Sequence, residues 1–144
     1  MERNVKIDDT LNERVSDAIE EVKELINETW TEEERKLLDS NEIINKLDYD
    51  GRIHEIIDGS VPIYTKEIDD AWYLHKQALV DAYENQGLGN NPMEKDGMIA
   101  IFCYIEQRVY EWLIQEYDWK RERIAPISII REIKPLMLIK KLLK

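Results

Sequence analysis

Met98 to Trp119 reads MIAIFCYIEQRVYEWLIQEYDW. Met98, Ile101, Phe102, Ile105, Val109, Trp112 and Leu113 recur at steps of three and four, the stripe of an α-helix laid against a core. Nothing inside the stretch breaks a helix; Pro92 and Gly97 precede it and Pro126 follows. At about 1.5 Å per residue it runs roughly 33 Å, the width of a small domain. The pattern predicts one long central helix over about 97–123. Glu106, Glu111, Glu116 and Asp118 are expected on its acidic outer side, against Arg108 alone.

Upstream, the same periodicity recurs in shorter pieces. Thr10 and Glu13 have the spacing of a capping box, and Leu11, Val15, Ile19, Val22, Leu25, Ile26 and Trp30 then mark one helical face. Thr31 and Glu34 form a second box before Leu37 and Leu38. Asp39 or Ser40 can cap a helix carrying Ile43, Ile44 and Leu47. Tyr49-Asp50-Gly51 reads as a break, and Ile53, Ile56 and Ile57 resume a helix that Pro62 ends. Thr65 can cap a helix from about Lys66 to Asn85, with Ile68, Ala71, Trp72, Leu79 and Ala82 or Tyr83 inward. Residues 86–92, QGLGNNP, are the clearest loop. Strand alternation and hairpin turns are missing, so the fold class is all-α: a single-domain bundle, elongated and acidic. Residues 1–123 form the acidic helical domain. Residues 124–144, split by Pro135 and rich in Ile, Leu and Lys, form a short basic amphipathic arm within it or appended to it.

Charge is the informative total. The 144 residues hold 31 acidic and 20 basic side chains, net −11. Residues 1–119 carry 29 acidic and 12 basic side chains, net −17, and residues 120–144 carry two and eight, net +6. A body of that sign repels nucleic acid and membrane surfaces and attracts basic ones. Its densest acidic stretch is the first helix, where Glu13, Asp17, Glu20, Glu21, Glu24 and Glu28 oppose the apolar face. Six carboxylates along about 22 Å of helix is close to the linear charge of one DNA strand, roughly one phosphate per 3.4 Å. A merely solvated, solubilising face is the plain alternative.

Chemistry has little to work with. One cysteine, Cys103, excludes an internal disulfide and fits a reducing cytoplasm. His54 and His75 are the only histidines, too few for a zinc site. Asp48-Tyr-Asp50-Gly51 lacks the remaining oxygens of a calcium loop. The Gly-rich loop lacks the Gly-Lys-Ser/Thr of a phosphate cradle. No catalytic residue, metal or cofactor is expected, and no apolar run reaches the ~20 residues of a membrane span.

Two stretches are similar to a known family. Residues 53–68, IHEIIDGSVPIYTKEI, resemble the central segment of the phage Ocr-type antirestriction proteins, through His54, Glu55, Asp58, Val61, Pro62, Tyr64 and Ile68. Ile105, Arg108, Val109, Tyr110, Glu111 and Asp118-Trp119 resemble that family's later acidic helix. Together the likeness covers roughly 52–119. It implies an all-helical homodimer whose surface carboxylates imitate the phosphates of bent B-form DNA. The implied partner is the DNA groove of a type I restriction enzyme or a similar host nuclease complex, in the host cytoplasm, without catalysis. The chain departs from the family type in its basic end, where the type is acidic. The expected mimic face is Asp17, Glu20, Glu21, Glu24 and Glu28, with Glu67, Asp69, Asp70, Glu106, Glu111, Glu116 and Asp118 added. A helical adaptor that binds a protein partner through the basic arm is the alternative.

Overall fold

A computed structural model describes residues 7–89 and 97–121. The last part of the loop expected at 86–92, residues 90–92, and the arm at 124–144 lie outside the described residues. Those residues form six helices and no strand: α1 (Leu11–Thr29), α2 (Glu32–Leu37), α3 (Ser40–Tyr49), α4 (Arg52–Gly59), α5 (Thr65–Asn85) and α6 (Gly97–Tyr117). No helix among them is long and apolar enough to cross a membrane.

The stretch 98–119 does supply the centre of the bundle. α5 makes the most extensive pairing with α6, and α1 and α4 pack on it from other sides. Surrounded in this way, α6 buries Ala100, Ile101, Cys103, Tyr104, Ile105, Val109, Tyr110 and Leu113, far more of its circumference than a single stripe. Met98, expected inward, is exposed at the end of the bundle. At its first residue α6 comes so close to α5 that the Trp72 indole N–H donates to the Gly97 carbonyl at 3.3 Å, and a Cβ on Gly97 would meet Trp72 Nε1 at 3.1 Å.

The local signals resolve unevenly. Thr31 with Glu34 and Asp39 with Glu42 form the reciprocal capping bonds that start α2 and α3. Gly51 takes φ +77°, a left-handed turn that admits the break between α3 and α4. Thr10 makes no capping bond, contrary to expectation; its hydroxyl instead helps hold the Glu67 carboxylate. Tyr64 rather than Thr65 precedes α5, which is kinked at His75 (φ −128°, ψ 29°), where the imidazole reaches Asp9 at 2.7 Å. α6 ends at Tyr117, six residues short of the expected 123, because Asp118 turns left-handed and Trp119 folds back into the core.

Candidate partner-binding surface

The surface is built on α1. Its apolar residues Leu11, Val15, Ala18, Val22 and Ile26 are buried, which fixes the rotation of the helix and turns the opposite side to solvent. At about 100° per residue, Asp17, Glu20, Glu21, Glu24 and Glu28 fall within one arc of roughly 100°, centred opposite that buried stripe. All five are exposed, and so is Glu13 on the same arc. None of them enters an ion pair among the described residues. Asp17 is near enough to Arg14 to help stabilise its positive charge, but Arg14 spends its hydrogen bonds on Glu67 and on the Ser60 carbonyl.

Such a stripe works against the helix that carries it. Asp17–Glu21, Glu20–Glu24 and Glu24–Glu28 are like charges at i,i+4, and Asp17–Glu20 and Glu21–Glu24 at i,i+3. Each pair costs roughly 0.2–0.5 kcal/mol, so the stripe gives up on the order of 1–2 kcal/mol. Glu28 also stands in the last turn, where the helix dipole disfavours a negative charge and no basic residue offsets it. Burial of the apolar face holds the helix together regardless.

The acids expected on α5 and α6 do not join this surface as a set. Arg14 donates to both oxygens of Glu67 from one guanidinium edge, Nε at 2.5 Å and Nη2 at 2.9 Å, which also lowers the Glu67 carboxyl below its usual range. Asp70 is buried and takes the Lys66 ammonium at 2.5 Å and the Asp8 amide at 3.3 Å; the Lys66 hydrogen bond depresses its titration first. Glu106 is 2 % exposed and is no surface carboxylate at all. Burial pushes its carboxyl up to about 7, and Gln86 Nε2 donates to it at 3.1 Å. Helix geometry explains the misplacement: Glu111 lies five residues, about 140°, round the helix from Glu106, so the two cannot share a face. Glu111 is exposed with Arg108 at 3.7 Å. Asp69, Glu116 and Asp118 are exposed and make no ion pair among the described residues.

Two acids not expected on the surface extend it. Glu32 and Glu33 are exposed in the first turn of α2, just past the end of α1. Arg35 of α2 donates to Asn27 of α1 at 2.6 Å, which lays the short helix beside the C-terminal part of the stripe. The signal for this was present in the run Thr31-Glu-Glu-Glu, read only as a cap.

No family model matches the chain. No curated protein and no solved structure matches it either. No group of three or more His, Cys, Asp or Glu among the described residues is placed to hold a metal ion.

Proposed function

We propose that this protein is a DNA mimic, an anti-defence protein of a phage or mobile element that blocks the DNA-binding groove of a host restriction or other nuclease complex. The observation that carries the reading is the α1 stripe: five exposed carboxylates on one helical arc, held apart by a rigid helix and making no ion pair among the described residues. From Asp17 to Glu28 the helix rises about 16 Å, so the charges recur at close to phosphate spacing. A groove lined with Lys and Arg to displace counterions accepts such a row, and a helix that is already ordered adds little ordering cost on binding. The similarity of residues 53–68 and 105–119 to the Ocr-type proteins points to a type I restriction enzyme as the first partner to try, with a homodimer as the binding form.

Inhibition of DNA cleavage by a type I restriction enzyme tests it. The wild-type protein should inhibit, added duplex DNA should relieve the inhibition competitively, and the variant Glu20→Gln/Glu21→Gln/Glu24→Gln/Glu28→Gln should not inhibit. A chain ending at residue 123 should inhibit like wild type. Loss of inhibition on that truncation, with the quadruple variant still active, would transfer the function to the basic arm and an adaptor role.

A further inference from the structure

Beyond Tyr117 the chain doubles back onto α3. Asp118 takes φ +53°, the left-handed conformation in which many helices end. Trp119 is then 1 % exposed and donates its indole N–H to Asn45 Oδ1 at 2.8 Å. The Lys120 backbone N–H donates to Asn41 Oδ1 at 2.7 Å, and Arg121 Nε lies 3.4 Å from Asp48 Oδ2. Asn41, Asn45 and Asp48 follow at steps of four and three, so one face of α3 receives all three contacts. From α6, the Tyr110 hydroxyl donates to Asp48 Oδ1 at 2.6 Å, and its ring lies 5.3 Å from that of Trp119. The Arg121 guanidinium sits 4.5 Å over the same Tyr110 ring. Residues 119–121 therefore bridge α3 and α6.

α3 is otherwise the least enclosed of the longer helices. Its close pairing among the described helices is with α4, across the left-handed turn at Gly51, whereas α6 pairs closely with α1, α4 and α5. α2, which leads into α3, buries no residue and meets α1 through the exposed Arg35–Asn27 hydrogen bond. The position of α2 thus depends on α3, and that of α3 on the returning segment.

We propose that residues 118–121 are a strap that docks α3 on α6, and that α2 and α3 open together about Gly51 when the strap releases, with α1, α4, α5 and α6 still packed. The three contacts come from consecutive residues. Once Trp119 is seated, the Lys120 amide and the Arg121 side chain bond to α3 with little further ordering cost, so the strap closes and opens as one piece. A unit held in this way opens below the free energy of global unfolding. Glu32 and Glu33 ride on α2, so opening also shortens the acidic surface at the end of α1. That consequence rests on the DNA-mimic reading; the opening itself does not.

Amide hydrogen exchange on the full chain tests the strap, whether or not α1 binds a nuclease. Asn41→Ala/Asn45→Ala removes the acceptors of Lys120 and Trp119. Ala is the better helix former, so α3 taken alone gains from both changes. The strap predicts the opposite sign: opening at the Ile44 and Leu47 amides of α3 should rise about tenfold, while the Ile105 and Val109 amides of α6 hold their protection. Trp119→Phe, which keeps an aromatic ring but drops the indole N–H, should shift the same α3 amides in the same direction, and it decides the matter if the double variant folds poorly. Unchanged or stronger α3 protection would overturn the proposal. So would a loss shared equally by Ile105 and Val109, because α3 would then open only with the whole domain.

Discussion

Along α1, Asp17, Glu20, Glu21, Glu24 and Glu28 stand in solvent and make no ion pair among the described residues, while on α5 and α6 Glu67, Asp70 and Glu106 are consumed by the fold. The residue type is the same, and the number of neighbours decides the outcome. α1 lies at the side of the bundle and needs one face for packing. α6 lies at the centre and is covered by three helices. α5 must also anchor the residues before α1, through Asp8 and Asp9, and α1 itself, through Arg14. Acidity in this chain therefore has two uses. One set of carboxylates is structural and the other remains available to a partner.

The largest effect that separates the two sets belongs to Glu106. Its carboxyl titrates at about 7 in the folded chain against an ordinary 4.5. A raised carboxyl favours the protonated fold, so stability is highest at low pH and is lost as pH rises from about 4.5 through about 7. Glu106→Gln should therefore stabilise the protein at pH 8, by about 2–3 kcal/mol in urea denaturation, and by much less at pH 5. Glu67 and Asp70 have the opposite sign. Their lowered carboxyls add stability above the ordinary carboxylate range and lose it as pH falls below about 4. The Glu106→Gln profile should therefore keep its acid limb and lose its alkaline one.

Next in size is the Arg14–Glu67 contact. Arg14→Ala leaves a half-buried carboxylate and the Ser60 carbonyl without their donor. A loss of about 2 kcal/mol is expected from urea midpoints at pH 7. A loss below 0.5 kcal/mol would mean that Glu67 is as free as the α1 acids. The smallest effect has the reverse sign. Neutralising Glu20, Glu21, Glu24 and Glu28 to Gln should raise stability by about 1 kcal/mol at low salt, and added salt should give the wild type a similar gain. Destabilisation by that variant would make the stripe structural and erase the distinction.

The helices were legible because apolar residues at steps of three and four survive any packing arrangement. The Thr31–Glu34 box, and Asp39 as one of two candidate caps for α3, were legible because capping is likewise local. α1's acids could be placed from sequence because one face of that helix is plainly apolar and the other plainly not. Glu106 could not be placed by treating its helix as two-sided. Ala100, Ile101, Cys103, Tyr104 and Ile105 are apolar all the way round, and that was the available sign that this part of α6 is enclosed. The fate of Glu67 and Asp70 rests on partners up to 62 positions away, which no spacing rule encodes. The early end of α6 was hidden likewise, since Trp119 continues the helical pattern but gains more by packing on α3.

The central claim is that α1 binds through its unpaired charge, and the salt dependence of binding reads that most directly. The affinity for a type I restriction enzyme should be measured between 50 and 200 mM salt for the wild type and for the variant neutralised at Glu20, Glu21, Glu24 and Glu28 (roughly the range over which phosphate-type contacts are screened). The account predicts a steep loss of wild-type affinity with salt. The variant should bind about 100-fold more weakly at the low-salt end, with a much flatter slope. A variant that matches the wild type in both affinity and slope would contradict the account.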